Sequence, residues 1–426
     1  MQQDFADKAT AIERVVKQVL DESAESIHSE LPFQGGRVTF RLPEFSAALR
    51  GMLQAAEIES DEGAKVPVSQ RGTGFQSALV LGILRYVASR EAQGTAALVF
   101  AVEEPEAFLH PQTQRAMTEI LKGISEDAQV LVTTHSPIVV DSFSLTQIAR
   151  LPLHEEGTDF EWRPPDLSET DEGRLSRYCD AGNSELVFAN AVVFVEGEGD
   201  RQVVERLLAR VCAGPGGHYA RGVTVVEANG LGKIKYLLQL ARRFSVRAYV
   251  LSDKDGLRSR NGHRVLLDVL TARRTAPDEP ERDRLRTLAD GSCTNYREAL
   301  RCQATINEVL EPFDTFVLAS DLEGLLVDAF GVDRVAGVLG PYGEDELDAQ
   351  FVDGLSGSED DRVRLAKRLG SKGWQADEKP NQKMPTHLAP IVLEAGLEGE
   401  GQRPEEIRRL EEWLRGVVEG FETSRV

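Results

Sequence analysis

The stretch Ala191–Gly197 (AVVFVEG) constrains the fold more than any other part of the sequence. Its apolar residues run directly into Glu196, which is the pattern of a buried parallel strand that ends at its carboxyl tip. Asp200 follows at the start of an apolar-periodic helix, and a second apolar strand, Arg247–Ser252, ends in the sequence Asp253–Gly256 (DKDG). Open α/β sheets bind ligands at the carboxyl ends of their strands, so we expect the two strand tips to form one site.

Acidic side chains dominate both strand tips: Glu196, Asp200, Asp253 and Asp255. Carboxylates repel one another unless a cation offsets their charge, and Mg²⁺ or Mn²⁺ is the natural candidate because hard cations prefer oxygen ligands. Two divalent ions about 3.5–4 Å apart can activate a water and stabilise a leaving oxygen. We predict that Glu196, Asp253 and Asp255 hold one ion and that Asp200 holds the second through bridging water. Asp200 has an alternative role as a helix N-cap.

The overall composition excludes several classes of protein. A chain of 426 residues makes about two to three domains. No apolar run approaches the roughly 20 residues of a membrane span, and the N-terminus lacks the pattern of a signal peptide. The four cysteines are scattered without a CxxC pair, so neither zinc nor a disulfide framework is predicted and a reducing cytoplasm fits best. The net charge of −21 argues against non-specific nucleic-acid binding, so any polyanion would need a local basic patch or bridging metal ions.

Three motifs in the first third of the chain follow one another in a specific order. Residues 71–77 (RGTGFQS) are a glycine loop directly before a helix, where free backbone N–H groups make an anion site. A buried strand over 96–102 ends in two glutamates, and a strand over 129–133 ends in Thr-His-Ser. Together, over about residues 35–145, they resemble the C-terminal half of an ABC-type ATPase head.

The resemblance assigns a role to each motif. The signature loop, which clamps ATP held by a partner head, would contain Thr73, Gly74 and Gln76. Glu103 takes the Walker B place that holds Mg²⁺ through water, Glu104 the place of the carboxylate that activates the attacking water, and His135 the switch-histidine place near the γ-phosphate. Since signature loops act on a neighbouring head, we expect a homodimer.

A phosphate-cradling Walker A sequence is missing from the chain. No G-x-x-x-x-G-K-[ST] occurs, and Gly230–Ile234 is too short and lacks the hydroxyl residue. We therefore expect either a C-terminal fragment of a longer protein or a second polypeptide that supplies the lobe. ATP is expected as a cofactor only with a complete head, and no ATP hydrolysis is expected from this chain alone.

The part of the chain from residue 191 to about 330 alternates strands and helices, which predicts a small parallel sheet. Its glutamate and D-x-D on consecutive strand tips resemble the Toprim domain. With the preceding ATPase motifs, the combination resembles the OLD family (overcoming lysogenization defect), ATP-linked nucleases often met in phage defence. The matching motifs are Val195–Asp200, Asn229–Lys233 and Asp253–Asp255, and the resemblance spans about residues 35–395. It implies a metal-dependent DNA endonuclease.

Three further features carry additional predictions. The strand around Phe316–Ser320 ends in acids, and by the family resemblance Glu323 is a candidate fifth metal ligand. OLD-type nucleases carry a late lysine that stabilises charge on the attacked phosphate, and Lys383 fits that place better than Lys372. The charged segment Ala272–Arg286 is a surface excursion, either a basic rim that meets DNA or a solvated loop.

The predicted fold class is α/β: a partial ABC-type ATPase head, a Toprim parallel α/β sheet and a helical C-terminal extension. The predicted domains are the C-terminal half of the head over 1–150, a connection over 151–185, the Toprim domain over 186–330 and the extension over 331–426. Two other functions remain open: a different Toprim reaction, such as primer synthesis or strand passage, and an ATP-gated DNA-binding or repair scaffold subunit without nuclease activity.

Overall fold

The computed structural model describes residues 2–29, 39, 58–61, 65–91, 98–151, 184–258, 264–273, 275–291, 296–339, 388–398 and 404–420. The chain divides into two compact units. The first consists of residues 1–100, 107–110 and 119–130, and the second of residues 101–106, 111–118 and 131–426. No helix within the described residues is long and apolar enough to cross a bilayer.

Two long helices are the largest elements among the described residues of the first unit. Helix α1 spans Gln2–Ser29, strands β1 (Glu59–Asp61) and β2 (Lys65–Pro67) pair antiparallel, and helix α2 spans Thr73–Glu91. Apolar side chains at helical spacing on α1 are exposed to solvent: Ile12, Val15 and Val19.

The elements that follow have residues in both units. Strand β3 (Val99–Glu103) and strand β4 (Gln129–Thr133) pair in a two-stranded sheet, with helix α3 (Pro111–Ser125) between them in sequence. Both strands were predicted from their apolar runs, and each leads directly into the polar residues singled out by the sequence. Helix α4 (Pro137–Asp141) follows β4 and begins at the N-cap Ser136, whose hydroxyl accepts from the Val139 amide.

A four-stranded parallel sheet forms the centre of the second unit. Its strands are β5 (Ala191–Val195), β6 (Val223–Glu227), β7 (Arg247–Ser252) and β8 (Thr315–Val317), in the order β6-β5-β7-β8. The parallel order puts the carboxyl ends of β5 and β7 side by side, as the sequence predicts.

Helices connect and cover these strands. They are α5 (Glu198–Val211), α6 (Leu231–Arg243), α7 (Val265–Leu270), α8 (Glu279–Asp290), α9 (Tyr296–Leu310), α10 (Leu322–Phe330), α11 (Val332–Leu339), α12 (Leu388–Leu397) and α13 (Glu405–Glu419). The mixed α/β architecture with a parallel sheet and C-terminal helices confirms the predicted fold class.

The two faces of the sheet are covered by separate apolar cores, because side chains alternate along each strand. Val193 and Val195 of β5 point to a core shared with α5, α10 and α13, whereas Val192 and Phe194 point to a core shared with α6, α7 and α9. All five residues of β5 are fully buried. A strand buried on both faces explains why its sequence is apolar throughout rather than alternating.

Helix α8 corrects the interpretation of the charged segment Ala272–Arg286 as a surface loop. The helix begins after the N-cap Asp278, which exchanges hydrogen bonds with Glu281: the Glu281 amide donates to Asp278 at 2.9 Å and the Asp278 amide donates to Glu281 at 2.8 Å. This reciprocal capping box satisfies two otherwise free N–H groups and starts a helix in spite of the segment's polarity.

Candidate metal centre

The register of the sheet brings the first and third strand tips together. Phe194 of β5 lies opposite Val250 of β7, so Glu196 reaches the level of Ser252. The carboxylate of Glu196 accepts hydrogen bonds from the Ser252 hydroxyl and from the Asp253 amide, each at 3.3 Å. The side chain of Glu196 therefore lies over the beginning of the DKDG turn.

Three of the four predicted carboxylates converge. Glu196, Asp253 and Asp255 are half-buried, and each offers one carboxylate oxygen such that the three atoms lie within 4.8 Å of one another. An all-oxygen donor set of this kind fits a hard divalent cation. These residues fit the predicted metal, and their roles as ligands remain a prediction.

The electrostatics of the cluster also fit a cation. Burial raises the pKa of Asp253 well above its usual value, and the negative charges of Glu196, Asp200, Asp321 and Asp255 raise it further. A carboxyl held among like charges resists ionisation unless a positive charge offsets the repulsion. A divalent ion in contact with these oxygens would offset it.

Asp200 lies near the cluster without being part of the three-oxygen group. Helix α5 begins at Glu198, earlier than the predicted start near Arg201, so Asp200 is the third helical residue rather than the N-cap. Its carboxylate accepts from the Gly197 amide at 3.0 Å. Its charge nevertheless raises the pKa of Asp253, so it contributes to the field of the site.

Asp321 is an acidic residue of the site that sequence reasoning missed. It is buried and is the N-cap of α10, where its carboxylate accepts from the Gly324 amide at 3.0 Å. Its negative charge raises the pKa of Asp253. The predicted fifth ligand, Glu323, lies in the first turn of α10 and is not in the three-oxygen group found among the described residues. The same strand end contained both acids, and the sequence did not distinguish them.

The DKDG turn is held by backbone contacts. The Lys254 amide donates to the Ser320 carbonyl at 2.9 Å, and the Gly256 amide donates to the Asp253 carbonyl at 3.2 Å. Gly256 is packed so tightly that an added Cβ would lie 2.4 Å from Leu231 Cδ2. Only glycine fits there, which explains its position directly after the D-x-D sequence.

The Asn229–Lys233 stretch fixes the backbone of the other strand tip. Asn229 and Gly230 adopt positive φ angles of 54° and 118°, and the Gly230 amide donates to the Glu196 carbonyl at 2.9 Å. Helix α6 starts immediately afterwards, and Lys233 is exposed in its first turn. The motif therefore orients Glu196 through its main chain.

Arg201, which follows Asp200 in helix α5, is engaged by acids of the same helix. Its guanidinium contacts Glu198 at 2.8 Å and Glu205 at 3.4 Å. Hydrogen bonds from Arg201, then from Gln202, lower the pKa of Glu198 to about 2, whereas burial raises the pKa of the neighbouring Glu227. Glu198 and Glu205 are thus paired with Arg201 rather than simply solvated.

The arginines of the predicted basic rim are largely committed to intramolecular partners. Arg273 is half-buried and donates to the carbonyls of Ala248 and Asp314 at 2.5 and 3.0 Å. Arg286 contacts the acids of its own helix, at 2.7 and 2.6 Å. Arg282 donates to a backbone carbonyl at 3.0 Å. This arrangement favours a structural charged segment over a DNA-contacting rim.

The residues assigned to the ATPase head fall in both compact units. In the first, helix α2 already begins at Thr73, so Thr73, Gly74 and Gln76 are helical rather than part of a loop before the helix. The Gln76 amide group donates to the Arg71 carbonyl at 2.8 Å.

The polar residues at the ends of β3 and β4, which lie in the second unit, contact one another. Glu103 ends β3 and is exposed. Glu104 has a positive φ of 41°, and its carboxylate lies 3.5 Å from His135 Nε2. Glu106 accepts from the Thr134 hydroxyl at 2.6 Å and from the His135 amide at 2.8 Å, a role that the sequence analysis did not assign.

Lys383 and Lys372 lie outside the described residues, so the lysine assignment stays a prediction.

Comparisons with known proteins agree with this architecture. Residues 2–140 match the model of an AAA ATPase domain, and residues 187–255 match the model of the Toprim domain of overcoming lysogenization defect protein-like sequences. The order of an ATPase-domain match followed by an OLD-like Toprim match supports an OLD-family protein. The second match ends at Asp255, so it contains every residue of the three-oxygen cluster.

Two curated OLD proteins are similar to parts of the chain. The OLD nuclease of Thermus scotoductus is 29% identical over 198 residues, covering 45% of this chain and 36% of the relative. The Old nuclease of Escherichia phage P2 is 24% identical over 220 residues, covering 49% of this chain and 37% of the relative. The chain thus matches little more than a third of the length of either relative.

Among solved structures, the C-terminal region of the Burkholderia pseudomallei OLD protein aligns with a TM-score of 0.31 and 18% identity, covering 54% of this chain and 99% of that one.

Proposed function

We propose that the Toprim domain of this OLD-family chain is a divalent-metal-dependent DNA endonuclease, coupled in the complete protein to its ATPase domain. The observation that carries the proposal is the convergence of Glu196, Asp253 and Asp255 within 4.8 Å at two adjacent strand tips. The OLD nuclease of Thermus scotoductus and the Old nuclease of phage P2, which resemble parts of this chain, support the same class of reaction.

The proposal assigns a role to each residue of the site. Glu196, Asp253 and Asp255 bind one ion, and Asp200 with bridging water contributes to a second. Two Mg²⁺ or Mn²⁺ ions would supply an activated water and charge stabilisation at the leaving oxygen. Ser252 and the Asp253 amide orient Glu196, and the Gly230 amide holds its backbone. Lys383 is proposed to stabilise charge on the attacked phosphate.

The proposal extends to the rest of the protein. The substrate is DNA, and Glu323 is a candidate additional ligand beside Asp321. ATP acts with a complete head, whose Walker A lobe comes from another part of the protein or from a second polypeptide, and the signature residues act on a neighbouring head in a homodimer. We place the protein in the cytoplasm, with a role in phage defence.

Plasmid cleavage tests the proposal. Purified protein should nick or linearise supercoiled DNA with Mg²⁺ or Mn²⁺ and lose this activity with EDTA. Asp253→Ala and Glu196→Ala should each abolish cleavage. Asp268→Ala removes an exposed carboxylate of the same domain and should leave cleavage unchanged.

Two results would contradict the proposal. Full activity in Glu196→Ala, Asp253→Ala and Asp255→Ala would reject the assignment of the cluster. Saturable Mn²⁺ binding by wild-type protein without cleavage of any DNA form would favour the scaffold function instead.

A further inference from the structure

We propose that Glu406, on the C-terminal helix α13, is a positioning residue for the carboxylate cluster. This inference rests on the proposed function, and it concerns a residue far outside the matched Toprim segment 187–255. Glu406 is fully buried, and its Oε1 accepts a hydrogen bond from the Ala319 amide at 2.7 Å. Burying a carboxyl side chain costs free energy unless hydrogen bonds offset the loss of water. The hydrogen bond to Ala319 supplies such an offset and fixes the Ala319 backbone in return.

The contact holds the loop that follows the edge strand β8. The Gln303 side chain donates to the same Glu406 oxygen at 3.1 Å, and Arg409 in turn donates to the side-chain oxygen Oε1 of Gln303 at 3.3 Å. Glu406 is thus held by α9 and by its own helix, and it presents a fixed acceptor to Ala319.

The loop held by Glu406 is itself bonded to the D-x-D turn. The Leu318 amide donates to the Ser252 carbonyl and the Lys254 amide donates to the Ser320 carbonyl, both at 2.9 Å. These bonds lie on either side of Ala319 in the chain. Displacement of Ala319 would therefore loosen both bonds to the turn.

Asp321 completes the connection. It directly follows Ser320, whose carbonyl accepts from the Lys254 amide, and its negative charge raises the pKa of Asp253. Glu406 thus sets where Asp253, Asp255 and Asp321 stand relative to one another, although it touches none of them in this series of hydrogen bonds.

Hydrogen exchange provides a readout that does not depend on catalysis. In Glu406→Ala, the amides of Leu318 and Lys254 should exchange about fivefold to tenfold faster, because the hydrogen bonds that protect them open more often. Glu406→Gln keeps an acceptor oxygen and should retain protection close to that of wild type. Glu412→Ala removes an exposed glutamate of the same helix and should change neither amide.

Mn²⁺ affinity, measured by calorimetry well below the unfolding temperature, tests the consequence for the site. Glu406→Ala should bind Mn²⁺ about tenfold more weakly, the loss typical for residues that orient metal ligands. Glu406→Gln should restore most of the affinity, which a general loss of stability would not predict. If Glu406→Ala does not fold, Glu406→Asp keeps the charge but shortens the reach, and it should shift exchange and affinity in the same directions.

The outcomes separate the two proposals. Unchanged amide protection and unchanged Mn²⁺ affinity in Glu406→Ala or Glu406→Asp would overturn the positioning role while leaving nuclease activity intact. The predicted order of variants in exchange and Mn²⁺ affinity, with no DNA cleavage by wild type, would support the positioning role and reject the nuclease. Absence of Mn²⁺ binding by wild type would overturn both.

Discussion

The amide of Asp253 donates a hydrogen bond to the carboxylate of Glu196 over 3.3 Å, so two acids that are distant in sequence share one local structure. The bond ties the start of the DKDG turn to the tip of β5. It also places the Glu196 oxygens close to the carboxylates of Asp253 and Asp255, where their charges oppose one another.

This repulsion predicts that Asp253→Asn stabilises the metal-free protein. Burial and the neighbouring acids raise the pKa of Asp253, so the folded metal-free protein must either hold a proton there or bear the repulsion. Asparagine is neutral without a proton and should increase the free energy of unfolding by about 1–2 kcal/mol. Urea unfolding of EDTA-treated protein measures the change. Asp268→Asn, at an exposed site, is the control and should give no comparable increase.

The same variant should lose its response to metal. Mn²⁺ at a hundred times its dissociation constant should stabilise wild type by about 2.7 kcal/mol, because the ion binds the folded state only. Asp253→Asn should show little of this stabilisation, and EDTA should reverse it in wild type. Equal stabilisation of both proteins by Mn²⁺ would place the metal elsewhere.

Gly256→Ala should disrupt the D-x-D turn. The added methyl group would meet Leu231 Cδ2 at 2.4 Å and Ser252 Oγ at 2.8 Å, and such overpacking costs about 1–3 kcal/mol. Thermal unfolding and Mn²⁺ calorimetry should show lower stability and weaker binding. Gly337→Ala, in α11 with no atom within 4 Å of the added methyl group, is the matched control. It should stabilise the protein by about 0.5–1 kcal/mol, and a loss there would contradict the packing argument.

Asn307→Ala should destabilise the edge of the sheet. The Asn307 side chain accepts from the Val317 amide at 2.8 Å and donates to the Val317 carbonyl at 3.0 Å. Its removal leaves two polar groups of β8 without these partners, at a cost of about 2–4 kcal/mol. Urea unfolding tests this value against Glu308→Ala, an exposed site on the same helix that should change stability by less than about 0.5 kcal/mol.

Tyr249→Phe should alter the alkaline limit of stability. Burial raises the pKa of Tyr249 to about 12, from an ordinary value of 10.0. The folded state therefore holds this proton between pH 10 and pH 12 while the unfolded state releases it, so wild type loses stability as pH rises through that window. The loss attributable to Tyr249 is about 2–3 kcal/mol, and phenylalanine avoids it.

The difference between the two proteins provides the measurement. Tyr249→Phe should equal wild type near pH 8, or exceed it by up to about 1 kcal/mol, since the buried hydroxyl has no hydrogen-bond partner among the described residues. Its advantage should grow steadily in urea unfolding at pH 10 and above. Tyr86→Phe, with its side chain exposed, should show no such growth, and a constant difference for Tyr249→Phe would refute the explanation.

The sequence was sufficient for the features that depend on local pattern. The predicted strand Arg247–Ser252 has the same bounds in the structure, because an uninterrupted apolar run followed by DKDG has few alternatives in a parallel sheet. The convergence of Glu196 with Asp253 and Asp255 followed from the parallel order alone.

The features that the sequence did not reveal depend mainly on contacts between residues far apart in the chain. Nothing in the pattern around Asp321 distinguishes it from Glu323, because the choice depends on which acid caps α10 next to Asp253. The contact of Glu406 with Ala319 joins residues 87 positions apart. By contrast, the start of α8 was signalled by the Asp278–Glu281 capping box, and was missed because the segment's charge suggested a loop.

The outer side of strand β8 has a consequence for assembly. The Val317 amide at the end of the strand donates to Asn307, and the Ala319 amide in the loop just after it donates to Glu406, so both are occupied by groups of the same molecule. An incoming extended segment would need those amides to lengthen the sheet, so this border is closed to strand addition and to the runaway polymerisation that open sheet borders invite.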